Sequence, residues 1–202
     1  MNPDFSFELI AIKKGHTLIC GIDEAGRGPW AGPVVASAVV LDPQNTPSGL
    51  NDSKKLNEAK REALFDPIML SSQVGVGIVS AKEIDGINIL QATFLAMQHA
   101  FDQLGIKPDL ALIDGNKSPK LDCETQIIVG GDSKSLSIAA ASIIAKVTRD
   151  RIMRELDKTH PHYGFERHKG YGTAAHAEAL AKHGPCGEHR KSFKPIALLL
   201  AR

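Results

Sequence analysis

Leu18-Ile19-Cys20-Gly21-Ile22 is a short apolar run of the kind that forms a buried strand, and it stops at two adjacent acids, Asp23 and Glu24. Gly26, Gly28 and Pro29 mark a turn immediately afterwards. A second β-rich run covers 33–41 and is broken by Asp42-Pro43, so the two early strands are expected to pair antiparallel across their short connection. A helical pattern spans about 58–65, with Pro67 expected to stop or kink it. Residues 73–79 read Gln-Val-Gly-Val-Gly-Ile-Val, an alternating strand with one thin face against which another element can pack closely. Ile89, Leu90, Thr93, Phe94, Met97, Phe101 and Leu104 then recur at helical spacing, and Gly105 ends the pattern.

Two further strands are expected at 109–113 and 125–129, closing on Asp114-Gly115 and Gly130-Gly131-Asp132. A helix from about 136 to 157 is Ala/Ile-rich in its first half, which predicts burial of that half against the sheet. Early strands followed by alternating strands and helices predict an α/β domain with a mixed sheet covered by helices. Beyond His160 the composition shifts, with one helix expected at 174–183. Residues 159–202 read as a small helical appendage on a main domain of residues 1–158. The end of the chain, 194–200, reads as a short amphipathic segment packed on its own molecule.

At 202 residues the chain can bury a sizeable core, and its formal charge of +1 points to no polyanion partner on charge alone. Any surface for nucleic acid must be local. The three cysteines form no Cys-x-x-Cys pair, which argues against a disulfide framework or a zinc ribbon and matches a reducing, cytoplasmic setting. No basic start followed by an apolar core opens the chain, and no apolar run approaches the roughly 20 residues that span a bilayer. The protein is expected to be neither exported nor bound to a membrane.

Asp23, Glu24, Asp114 and Asp132 all stand at or just past the ends of expected strands, where an α/β sheet opens into its crevice. Side chains of neighbouring strand residues point to opposite faces, so Asp23 and Glu24 share one site only if the backbone bends between them. Crowded carboxylates repel unless a cation offsets their charge, and an all-oxygen donor set favours Mg²⁺ or Mn²⁺. Such ions go with phosphoryl chemistry. The plainer readings are an exposed acidic turn for Asp23-Glu24, a turn at Asp114-Gly115, and a helix N-cap for Asp132. Lys54, Lys55, Lys134, Lys146, Arg149 and the run Arg167-His168-Lys169 are candidates for phosphate contacts, and Tyr171 beside that run suits stacking on a sugar or base.

Taken together and in order, Ile22 to Pro29, Asp52-Ser53-Lys54-Lys55-Leu56, Ile113-Asp114-Gly115-Asn116, Gly131-Asp132 with 139–147, His168-Lys169-Gly170-Tyr171-Gly172-Thr173 and His189-Arg190-Lys191-Ser192-Phe193 resemble the bacterial ribonuclease HII family, the type 2 ribonucleases H. Trp30 departs from that likeness, at a position that is smaller and aliphatic in the family. The resemblance implies an RNase H-like fold, a mixed five-stranded sheet flanked by helices with a small helical C-terminal part. It also implies Mg²⁺- or Mn²⁺-dependent cleavage of the RNA strand of RNA–DNA hybrids, and of DNA duplexes containing ribonucleotides; separately, the chain is expected to be a monomer. By position, Asp23, Glu24 and Asp114 would ligate metal and Asp132 would complete the catalytic set. Gly26, Arg27, Gly28 and Tyr171 would recognise a ribonucleotide, with Lys54 and Lys169 as supporting phosphate contacts. A nuclease acting on DNA alone, or a binding protein without catalysis, are the rival readings.

Overall fold

The computed structural model describes residues 2–201. Its five strands are β1 (Ile19–Ala25), β2 (Val34–Leu41), β3 (Ser72–Val79), β4 (Leu110–Asp114) and β5 (Glu124–Ile128), in the sheet order β3-β2-β1-β4-β5. β1 pairs antiparallel with β2 and β2 with β3, whereas β4 runs parallel to β1 and β5 parallel to β4. The sheet is therefore mixed, as the alternation of elements predicts. Seven helices complete the described residues: α1 (Ser6–Lys13), α2 (Glu58–Ser71), α3 (Ala81–Asp102), α4 (Leu136–Thr159), α5 (Phe165–His168), α6 (Ala174–His183) and α7 (Lys194–Leu200).

Alternation along the strands sorts the core into two layers. Cys20, Ile22, Ala111 and Ile113 pack with Ala92, Ala96, Met97 and Phe101 of α3 on one face. On the other face Val39 and Leu41 meet Ala140, Ile143 and Ile144 of α4 together with Ile68 of α2, while Ile19, Leu110 and Leu112 meet Ile138. Gly75 and Gly77 form the thin face of β3: a Cβ on either would stand 1.9 Å from a carbonyl oxygen of α3, that of Ala100 or Ala96. Gly21 does the same for α4, since a Cβ there would lie 2.2 Å from the Ser137 carbonyl carbon. Glycine lets α4 press against β1, and this closeness sets the entry to α4 directly above the end of the strand.

Several local expectations give way. β1 runs on to Ala25, paired with Val35, instead of stopping at Ile22. α2 continues through Pro67 to Ser71, because Ile68, fully buried one residue later, anchors the last turn. α3 begins at Ala81 with a capping box from Ser80 and Glu83 and breaks at Asn88, whose φ of 65° and ψ of 163° interrupt the helix. The Asn88 side chain accepts the N–H groups of Leu90 and Gln91 and so restarts it.

The C-terminal segment packs as one apolar group. Ala31 and Met153 are buried with Tyr163, Phe165, Leu180 and Ile196, so α7 lies on its own molecule. Trp30 belongs to this group: its ring fills the space that a Cβ on Gly172 would need and lies 5.5 Å from the His176 ring. That contact accounts physically for a large residue at position 30. Met1 and Arg202, the outer ends of the two segments divided in the sequence at 158, lie outside the described residues.

Candidate active site

Two acids meet because of strand register. Ile22 pairs with Ile113 across the parallel β1–β4 ladder, so the next residues, Asp23 and Asp114, lie side by side on the face that carries α4. Asp132 reaches the same point from a single 3-10 turn at Gly131–Ser133, held just before α4. One carboxylate oxygen from each of Asp23, Asp114 and Asp132 lies within 4.8 Å of the others. Asp132 is not the N-cap of α4: Ser135 caps it, accepting from the Ile138 N–H. Nor is Asp114 only a turn residue, since its Oδ1 accepts the Gly131 N–H at 2.6 Å and ties the end of β4 to the Asp132 turn.

The backbone does not bend between Asp23 and Glu24, because the β1–β2 ladder continues past both. Alternation sends Glu24 toward the other face, and among the described residues it is not a member of the close carboxylate group. Its longer side chain still reaches the rim of the same cavity, where it receives a hydrogen bond from Arg27 Nη1 at 3.3 Å. The cavity holds about 200 Å³ and is lined by Asp23, Glu24 and Asp114, by Gly26, Arg27 and Gly28, and by Lys54, Lys146 and Tyr171 among others.

Burial raises the Asp23 pKa well above its ordinary value, and Glu24, Asp114 and Asp132 push the same way against one hydrogen bond from the Glu24 N–H. Glu24 is also raised by burial, which its Arg27 partner opposes, and Asp114 is raised by burial against the Gly131 N–H. Burial works against the Lys54 ammonium, but Asp23, Asp132 and Asp52 outweigh it and hold its pKa above the ordinary value. Lys54 Nζ stands 3.4 Å from Asp132 Oδ2 at the open side of the cavity. Among the described residues neither Asp23 nor Asp114 has a salt-bridge partner, so the cations at the wall, Arg27 on Glu24 and Lys54 on Asp132, leave these two carboxylates without a direct counter-charge. Three converging carboxylates, with no His or Cys among them, are the donor set of a hard divalent ion.

The remaining candidate residues divide. Gly28 faces the Tyr171 ring, 3.7 Å from where its Cβ would stand, so the Gly26–Gly28 loop and the tyrosine form one wall. Lys169 holds a left-handed backbone at φ 50° and points its Nζ to the Glu166 carbonyl. Lys146 is bound to Asp150 at 2.6 Å, and Lys134 to the Val129 carbonyl. Arg149 is no phosphate contact: it is 1% exposed, with Nε, Nη1 and Nη2 on the carbonyls of Pro33, Lys169 and Ala31. Arg190, to which the sequence assigns no role beyond the His189–Phe193 resemblance, is likewise fully buried and grips the loop after β1. Nothing in a His-Arg-Lys-Ser string marks such an arginine as interior.

The model of the family described as Ribonuclease HII matches residues 20–196. The chain belongs to the ribonuclease HII family. Ribonuclease HII of Agrobacterium fabrum is 56% identical over 196 residues, covering 96% of this chain and 90% of that one. The enzyme of Magnetococcus marinus is 56% identical over 204 residues, covering 98% and 96%. Among solved structures, ribonuclease H2 from Pyrococcus horikoshii OT3 superimposes with a TM-score of 0.77 at 28% identity, over 92% of this chain and 98% of that one. RNase HII in a PCNA complex from Archaeoglobus fulgidus gives 0.75 at 27% identity, over 88% and 96%. The sheet and its flanking helices are thus the RNase H-like fold of this family. The chain is a ribonuclease, a metal-dependent hydrolase that cleaves RNA within RNA–DNA hybrids. Among the described residues no helix is long and apolar enough to cross a membrane.

Proposed function

We propose that the pocket above Asp23 and Asp114 hydrolyses the RNA strand of hybrids and also nicks duplex DNA at single embedded ribonucleotides, leaving 5′-phosphate and 3′-hydroxyl ends. The observation that carries this reading is the meeting of Asp23, Asp114 and Asp132 within 4.8 Å beneath a wall of glycine backbone and one tyrosine ring. Asp23 and Asp114 would hold Mg²⁺ or Mn²⁺ with Glu24 reaching in from the rim, and Asp132 beside them would complete the catalytic set. Bound divalent ions supply a nucleophilic water and charge stabilisation at a phosphodiester. The oxygen of water joins phosphorus, the bond from phosphorus to the 3′-oxygen breaks, and that oxygen leaves with a proton.

The chain's own groups position the strand. Gly26, Arg27 and Gly28 allow backbone to approach a ribose, whose 2′-hydroxyl separates RNA from DNA, and the Tyr171 ring packs on the adjoining sugar. Lys54 and Lys169 contact phosphates beside the cut. With three free cysteines among the described residues, the enzyme acts in the reducing cytoplasm, as a monomer, in removal of ribonucleotides from replicated DNA. The test is cleavage mapping on three duplexes: all DNA, RNA–DNA hybrid, and DNA with one ribonucleotide, with Mg²⁺ and Mn²⁺ in turn. Cutting of the last two alone is expected. Cutting of the all-DNA duplex at a comparable rate would overturn the reading.

A further inference from the structure

Two fully buried arginines stand under the recognition loop, and among the described residues neither forms a salt bridge with a carboxylate. Arg190 donates from Nη2 to the Gly26 carbonyl at 2.5 Å and the Pro33 carbonyl at 3.1 Å, from Nη1 to the Arg27 carbonyl at 3.0 Å, and from Nε to the Gly32 carbonyl at 2.9 Å. Arg149 takes the carbonyls of Ala31, Pro33 and Lys169. Burying two neighbouring guanidinium groups is costly, and burial together with the other arginine draws Arg190 down to about 9. A plain packing role would be filled at lower cost by apolar side chains. What the two forks do specifically is fix the direction of consecutive carbonyls.

That direction has a consequence at the cavity. In a trans peptide the C=O and the next residue's N–H point opposite ways, and no cis bond occurs among the described residues. Pulling the Gly26 and Arg27 carbonyls inward therefore turns the N–H groups of Arg27 and Gly28 outward. Among the described residues neither N–H has a protein acceptor, and both residues line the cavity. Gly26 sits at φ +99°, and a Cβ there would strike the Arg149 side chain at 2.1 Å, so the loop lies directly on the arginine layer.

We infer that Arg190, with Arg149 beside it, is a positioning residue for ribose recognition: by holding the Gly26 and Arg27 carbonyls it presents the Arg27 and Gly28 N–H groups as donors to the sugar oxygen of the ribonucleotide. The inference rests on the ribonucleotide-recognising role proposed above for this loop. Lysine keeps the charge of arginine but has one compact ammonium in place of a planar fork, so it cannot span four carbonyls.

The experiment compares wild type with Arg190→Lys. It reads kcat and KM on a DNA duplex carrying one ribonucleotide, and Ki for the all-DNA duplex as competing ligand. Misplacing a contact by around an ångström loses about tenfold or more. Arg190→Lys is therefore expected to lose at least about that factor in preference for the ribonucleotide duplex, while Ki for DNA and the rise in Tm on adding Mn²⁺ stay at wild-type values. A folded Arg190→Lys with the wild-type preference would overturn the positioning role. Should that variant fail to fold, wild-type amide spectra in EDTA decide. The Arg27 and Gly28 N–H resonances are expected to respond differently to the ribonucleotide and all-DNA duplexes, and an identical response overturns the inference. Absence of any ribonucleotide preference in the wild type would instead bring down the function proposed for the site.

Discussion

At the scale of single residues the decisive feature is a carboxylate placed where it resists ionising. Asp23 is 4% exposed and faces Asp114 and Asp132, so in the absence of divalent ions its negative charge opposes folding. Asp23→Asn removes that charge with little change in shape. Cleavage is expected to fall by at least about 10²–10³-fold, the loss that follows removal of one charge-stabilising group. In EDTA the same variant is expected to melt higher than wild type, each kcal/mol relieved appearing as about 2–4 °C in a chain of this size. The sign follows from linkage. A carboxyl whose folded pKa lies above its unfolded value of 3.8 binds its proton more tightly when folded, so its ionisation costs stability as pH rises through the folded value. The Tm advantage of Asp23→Asn in EDTA should therefore be small near pH 4 and grow toward pH 8. A constant difference across that range would contradict the strained carboxylate, and full cleavage by the variant would remove Asp23 from the mechanism. Asp114→Asn tests the same logic from β4.

At the scale of elements, close approach between sheet and helix is built from glycine. An Ala at Gly77 would put its methyl 1.9 Å from the Ala96 carbonyl oxygen, and helix backbone cannot step aside as a side chain would. Gly77→Ala is expected to cost about 3 kcal/mol, the upper end for overpacking a core. Gly86, inside α3 with nothing within 4 Å of its would-be Cβ, is the control: Gly86→Ala should gain about 0.5–1 kcal/mol from helix propensity. Urea denaturation of both variants checks the pair, and equal effects would refute it. The thin face of β3 was legible in sequence because glycine at every second strand position has few other uses. So were the two antiparallel early strands and α6. α1 was not: no side chain caps it, and Leu9, Ile10 and Ile12 are exposed, so no apolar stripe marks it. Strand-end position announced Asp23, Asp114 and Asp132 as candidates, but which acids share a face depends on the β1–β4 register. Sequence does not contain that register, and it is alternation along an unbroken β1 that leaves Glu24 at the rim, outside the close group of three although its charge still bears on Asp23. The interior arginines were illegible because burial of Arg149 and Arg190 depends on backbone carbonyls brought from 26–33 and 169.

At the scale of the whole molecule, a net charge of +1 leaves nucleic-acid binding to the few cations around one cavity. Each phosphate neutralised releases condensed counterions and contributes about −0.9 to the slope of log K against log salt for duplex DNA. Lys54 is the clearest of these cations: its side chain is 77% exposed, its ammonium borders Asp132, and neighbouring acids hold it charged. Lys54→Ala is expected to weaken hybrid and all-DNA duplexes by a similar factor, because a phosphate contact carries no information about sugar or base. It should also make the salt slope shallower by about one. Tyr171→Ala acts on the opposite term. Its ring is half exposed against the Gly28 wall and carries no charge, so the salt slope should stay unchanged while the ribonucleotide-containing duplex loses about 1–3 kcal/mol, the usual worth of one aromatic stacking contact. Titrating both variants with labelled duplexes from about 50 to about 300 mM salt, across which the Debye length passes through about 10 Å, separates the two roles. A shallower slope for Tyr171→Ala, or an unchanged one for Lys54→Ala, would mean that charge and sugar recognition are not divided between these two sides of the cavity.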